Sequence, residues 1–131
     1  MYTTISGIAV GVILLQTIIF APTIFTTIDA EPAGKLLRAL FPKFFKFLAL
    51  LGTLTILTCI FSSQSGAGQW TIGIITVVVP IVCLLMVPAT NRATDEGQKG
   101  RFKLLHTLSV LFTLSVLIAN LSMPYFASIR T

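Results

Sequence analysis

Four apolar stretches divide the chain: Thr4–Ile28, Phe44–Phe61, Trp70–Pro88 and Phe102–Met123. Each is close to the ~20 residues a helix needs to cross ~30 Å of hydrocarbon. None contains Asp, Glu or Arg. The pattern predicts an all-α integral membrane bundle of four transmembrane helices, forming a single domain over residues 1–131. The first stretch is too long and too poor in N-terminal cations for a signal peptide, and it lacks a small-residue cleavage site, so it reads as a retained span.

The segment between the first two spans has its own periodicity. Asp29 and Glu31 stand where a new helix would begin, and Pro32 suits a first turn, where no backbone donor is needed. Leu36, Leu37, Leu40 and Phe41 then recur at helical spacing, opposite Lys35 and Arg38. This predicts a short amphipathic helix over about 32–41 lying in the membrane interface, with Pro42 ending it before the second span enters lipid. The other reading of the same residues is an extension of the second span on the cytoplasmic side. Pro22 and Pro80 lie inside spans one and three, where a proline removes a ladder bond and kinks the helix. Such kinks open space between helices, as ligand-holding bundles require, but they also occur in membrane helices without that role.

Composition agrees with the pattern. Of 131 residues, 55% are hydrophobic and 10% charged, and the mean hydropathy is +0.96. A soluble domain carries about 25% charge because its surface faces water. The net charge of +5 would suit a nucleic-acid surface only if the cations lined a polar face with interleaved aromatics. They do not, and no nucleic-acid partner is expected. Lys35, Arg38, Lys43 and Lys46 cluster after span one, and Arg92, Lys99, Arg101 and Lys103 cluster around the loop after span three. The loop Ser62–Gln69 has no cation, and the tail has only Arg130. With four spans both basic loops share one side, and the positive-inside rule makes 29–43 and 89–101 cytoplasmic and both termini external. The expected location is a bacterial inner membrane, where Lys35, Arg38, Lys43, Lys46, Arg101 and Lys103 contact lipid headgroups.

Candidate chemistry is sparse. His106 is the only histidine, and on a helix it shares a face with Phe102, Ser109, Thr113 and Asn120. A polar stripe on a membrane helix should face the bundle, serving either as hydrogen-bonding glue or as a ligand, ion or proton site. By depth, Pro22, Thr23, Asn91, Asp95, His106 and Ser109 would form a polar cluster near the cytoplasmic face. Gly7 and Gly11 form a small-xxx-small pair that, with Asn120, marks helix packing. Asp95 followed by Gln98 reads as an N-cap with its return partner, opening helix four. Cys83 and Met86 would put two sulfurs on one helical face, yet there is no CxxC, HxxxH or Met-rich run. Cys59 and Cys83 lie at depths differing by about 12 Å, too far for a disulfide. No metal, cofactor or catalytic residue set is expected, although bound lipids are.

The segments FAPTIF, AGKLLRALFPKFF, PATNRATDEG and RFKLLHTLSVLF resemble a family of small bacterial membrane proteins of unknown function. That family is similar to human transmembrane protein 205 and distantly to CopD-type copper-resistance membrane proteins. The resemblance singles out Pro22, Phe25, Leu40, Phe41, Pro42, Phe45, Asn91, Asp95, Phe102, His106 and Ser109. Thr94 departs from it, since an Arg commonly precedes the Asp, and Val110–Phe112 hold no Asn. Two functions are therefore expected. The first is a non-enzymatic accessory or scaffold subunit packing against a larger inner-membrane complex or its own copies. The second is a small-ligand or copper-like metal transport or resistance protein acting through the cluster around His106.

Overall fold

The computed structural model describes residues 1–129. Arg130, the ninth cation, and Thr131 lie outside them. Helix α1 runs Tyr2–Thr27 and is π-helical over Leu15–Phe20. Helix α2 spans Ala30–Phe61, α3 Ala67–Asp95 and α4 Lys99–Leu121, with a short α5 at Met123–Ser128. Among the described residues these give four stretches long and apolar enough to cross a membrane, and no strand.

The distribution of polarity suits a lipid solvent. Large side chains such as Ile18, Leu85 and Ile118 point outward and are more than half exposed. Ser6, Thr55, Thr76 and Asn120 are buried instead. Thr55 and Thr76 donate back to the carbonyls of Leu51 (3.1 Å) and Ile72 (2.7 Å), so their hydroxyls are satisfied within their own helices. Asn120 Nδ2 donates to Thr76 Oγ1 at 2.8 Å and to the Val116 carbonyl at 2.9 Å, tying α4 to α3. Around these, Ala9, Ile13, Phe44, Phe45, Leu48, Leu51, Cys83 and Val116 form the apolar centre. Cys59 and Cys83 are both free and buried.

Each helix packs on its chain neighbours and α4 closes on α1, giving a ring of four antiparallel helices. The closest approach joins α2 to α3 at Gly52. A Cβ added there would lie 2.6 Å from the Thr76 carbonyl carbon and 2.7 Å from the Val77 nitrogen, so the two backbones touch. Gly73 answers from α3, where a Cβ would meet Ile56 Cγ1 at 3.0 Å. Without a hydrophobic force between helices in lipid, such close backbone contact is what holds them. The glycine pair Gly7 and Gly11 is different: nothing lies within 4 Å of a Cβ at either, and that face of α1 is open.

Two expectations are corrected. No separate interfacial helix exists over 32–41; residues from Ala30 are the first turns of α2, which passes through Pro42 without a break. The reason is where the apolar face goes. Ala33 and Leu37 are buried against Ile24 of α1, with Leu40 and Phe41 packed on them, so protein rather than the interface covers that face. Phe41 and Phe45 then stack across the proline, with ring centroids 6.1 Å apart. The start is as expected, with Asp29 at the N-cap and Glu31 and Pro32 in the first turn.

The second correction concerns Asp95, which does not cap α4. It is the last residue of α3, and α4 starts after Gln98 with no side-chain cap. Between them Gly97 adopts φ +67°, a left-handed value natural to glycine. Its N–H reaches the Thr94 carbonyl at 3.2 Å, and the Gln98 N–H reaches the Ala93 carbonyl at 2.8 Å. This is a Schellman ending, so the turn is set by Gly97 and leaves the Asp95 carboxylate to bond elsewhere.

At Gly52 the neighbour is backbone, which cannot rotate away. Gly52→Ala is expected to destabilise the bundle by about 1–3 kcal/mol through overpacking. Gly7→Ala, with open space around it, should stay within about 0.5 kcal/mol. Denaturant unfolding of both variants in the same detergent measures the contrast.

Candidate functional site

The inner face of α1 descends by the usual steps from Ala9 to Ile13 to Gln16, all buried. An α-helix would continue that face near residue 23, seven positions on. Pro22 prevents this, because its ring nitrogen cannot donate to the Ile18 carbonyl. The chain relaxes upstream into a π turn, and the Ala21 N–H reaches back to the Gln16 carbonyl. The register slips by about one residue. Ala21 and Ile28 line the inner side beyond the π turn, Ile24 is buried there, and Pro22 and Thr23 are turned outward and exposed.

Below this turn α1 also changes company. Its first half, Tyr2–Leu14, packs on both α2 and α4, whereas Ala21–Thr27 packs principally on the start of α2. The gap left beside α4 is a cavity of about 540 Å³. Its walls are Gln16, Thr17, Ala21 and Phe25 from α1; Ala33, Gly34, Leu37, Arg38, Phe41, Phe44 and Phe45 from α2; Val87, Thr90, Asn91 and Thr94 from α3; and Phe102, His106, Ser109, Val110, Thr113 and Leu114 from α4. Phe25 is 65% exposed, and Phe102, Val110 and Leu114 are exposed as well, so the cavity opens sideways between α1 and α4.

Of the six residues grouped from sequence, Asn91, His106 and Ser109 share this cavity wall. Pro22 and Thr23 do not reach it. Asp95 stands at its rim, where both carboxylate oxygens accept from the Arg38 guanidinium, Nη1 to Oδ2 at 3.3 Å and Nη2 to Oδ1. This two-pronged pair clasps the end of α3 to α2. It uses the charge of Arg38, which was expected to face lipid headgroups. The bond from Arg38 holds the Asp95 carboxyl below the usual carboxylate range and raises the guanidinium further above its own. Lys35 pairs instead with Glu31, one turn back, at 2.9 Å. Lys43, Lys46, Arg101 and Lys103 are exposed along the same end of the bundle.

His106 stacks on Phe102 at 5.7 Å between ring centroids, nearly parallel at 9°. The hydroxyls of Thr90, Thr94 and Thr113 are bonded to the carbonyls of Met86, Thr90 and Ser109. Gln16 differs. It is only 8% exposed, and its Nε2 is shielded from solvent and meets no acceptor. The sequence reading passed over it. The signal available was a lone amide in an uncharged apolar run, six residues before a proline. Among the described residues no three His, Cys, Asp or Glu side chains come together as a metal would require.

A family model described as a domain of unknown function (DUF4149) matches residues 4–101, about three quarters of the chain. The chain belongs to that family. No curated protein and no solved structure matches the chain. The DUF4149 match takes in nearly all of α1, then α2, α3 and the first turn of α4, and so includes Gln16, Arg38, Asn91 and Asp95. His106 and Ser109 complete the wall from beyond its end.

The clasp has a defined pH dependence. A carboxylate whose pKa is depressed on folding contributes stability above its unfolded value and loses it as pH falls through the folded value. The Arg38–Asp95 pair should therefore hold at neutral pH and open only below the ordinary carboxylate range. Hydrogen exchange at Ala93–Lys99 should accelerate there, and Asp95→Asn should show the faster exchange already at pH 7.

Proposed function

We propose that the protein is a non-enzymatic membrane protein that binds a small lipid-soluble molecule in the cavity between α1 and α4. One observation carries this reading: a half-enclosed, phenylalanine-walled chamber of about 540 Å³ opens sideways through apolar side chains. That volume lies within the ~300–1,000 Å³ typical of small-molecule sites, which are mostly apolar with a few placed polar groups. A helix bundle surrounded by lipid offers its lateral openings to whatever dissolves in the lipid. The ligand would arrive from the bilayer and meet Asn91, His106 and Ser109 inside.

The two basic segments at the cavity end of the bundle support an orientation with this end cytoplasmic and both termini external, by the positive-inside rule. In that orientation the chamber occupies the inner leaflet of a bacterial inner membrane. Lys43 and Lys46 reach the phosphates from its edge. The resemblance to CopD-type copper-resistance proteins points to a metal as the alternative cargo. An organic molecule suits the wall better, since the soft donors Cys83 and Met86 lie outside it and His106 is its only imidazole.

The open face at Gly7 and Gly11 favours a second reading, in which an accessory subunit receives a helix from a larger complex or from another copy. The two readings separate on extraction. Mild-detergent purification followed by a native gel and mass spectrometry should yield a lone chain or self-oligomer carrying a small molecule. A stoichiometric larger partner would favour the accessory role.

A direct test uses 1-aminoanthracene, a lipophilic fluorophore. The wild-type protein should bind it with a blue-shifted, enhanced emission. Gly34→Phe, projecting into the chamber where nothing lies within 4 Å of a Cβ, should weaken binding by roughly tenfold or more by taking the space. Its unfolding temperature should not fall. Unchanged fluorophore binding in that variant would remove the cavity from the account.

A further inference from the structure

We infer that the molecule held in the cavity is neutral and mainly hydrocarbon but bears a carbonyl-type oxygen, and that the Gln16 carboxamide is the group that recognises it. This rests on the ligand-binding reading above and names the class of ligand.

The first support is an unmet donor. Gln16 forms part of the wall, more than nine-tenths buried, and its Nε2 has no acceptor. An amide nitrogen only donates, so its missing partner must be an acceptor. In this arrangement no protein group supplies one. The terminal amide torsion of glutamine is broad, so the donor edge can turn to meet an oxygen entering the chamber. An amide left without a partner in an apolar setting is a standing cost that leucine at the same position would avoid.

Charge supplies the second support. Among the described residues Arg38 is the only charged side chain in the wall, and its guanidinium is engaged by both oxygens of Asp95. An anionic ligand would have to compete with that carboxylate, and a cationic one would meet the arginine. A neutral molecule avoids both. The third support is the route of entry. The opening passes Phe25, Val110 and Leu114, and the chamber presents the rings of Phe41, Phe44 and Phe45, so the bulk of the ligand must be hydrocarbon. Among neutral oxygens a carbonyl accepts strongly and brings no hydroxyl hydrogen that would itself need an acceptor.

The matched pair 9-fluorenone and fluorene tests this, since the two differ only by a carbonyl in place of a methylene. Each is titrated against 1-aminoanthracene bound to the purified protein in detergent. Fluorenone should displace the fluorophore at roughly tenfold lower concentration than fluorene, the worth of one hydrogen bond to a buried donor. Gln16→Leu should bring the two to the same concentration by weakening fluorenone alone, and the unliganded variant should melt no lower than wild type. Equal displacement by both compounds in the wild type overturns the carbonyl assignment and leaves the cavity reading standing. A fluorenone preference that survives Gln16→Leu overturns the role of Gln16. Failure of the fluorophore and both compounds to bind at all ends the inference together with the reading beneath it. Gln16→Met serves if the leucine variant does not fold, and the wild-type comparison needs no variant.

Discussion

In hydrocarbon a backbone N–H or C=O has no water to turn to, and each one left unpaired costs several kcal/mol. That constraint governs the chain from end to end. It is why α2 continues through Pro42 where a soluble protein could have broken into a loop, and why α3 carries both Pro80 and Pro88 without ending. It also explains what happens above Pro22. Instead of abandoning the helix, the chain shifts to the wider π spacing and keeps the surrounding groups bonded. The buried threonines follow the same rule at the side-chain level, returning their hydroxyls to carbonyls one turn back.

Under that constraint, shape is decided by how closely helices can approach. Gly52 brings the α2 backbone against α3 at Thr76 and Val77, and Asn120 links the same Thr76 to α4. These three helices form a tight wall. Helix α1 is held differently, by Ala9 and Ile13 in its first half and by Ile24 against Ala33 and Leu37 near its end. Between those two attachments lies the π segment, with no comparable grip on α3 or α4. The cavity is the volume that a rigid three-helix wall and a register-shifted fourth helix cannot jointly fill. The Arg38–Asp95 clasp closes its rim from the wall side, so the remaining opening lies between α1 and α4.

Much of this was legible in the residues. Runs of apolar side chains marked the four helices, because the bilayer imposes both length and polarity, although α2 starts at Ala30, well before Phe44, and α3 runs to Asp95, well past Pro88. His106, Ser109 and Asn91 were grouped by depth alone, and all three line the cavity. The misses share a cause: each depends on where a neighbouring helix or turn lies. The 32–41 stripe has the periodicity of an interfacial helix, and only the position of Ile24 shows that protein covers it. Asp95 has a capping residue's chemistry, but Gly97 two positions on had already set the turn. Pro22 and Thr23 were grouped by depth, and beyond the π turn neither lines the cavity. Gly7 and Gly11 carry the familiar spacing, while the glycine that two helices share is Gly52, whose importance lies in its partner's backbone.

Two buried polar side-chain atoms are left without partners among the described residues, Ser6 Oγ and Gln16 Nε2, and they are not equivalent. A serine hydroxyl in a helix can rotate to bond a carbonyl three or four residues back, as Thr55 and Thr76 do, so Ser6 has a local remedy that any membrane helix provides. The Gln16 amide donor finds no partner in its own helix. Gln16 also stands within the π segment, beside the one break in helical register in α1. Two departures from the most stable arrangement, an orphan amide and a π turn, thus coincide on one wall of one cavity. In a chain that elsewhere satisfies its polar groups so consistently, that coincidence is the strongest physical reason to look for a molecule that completes the site.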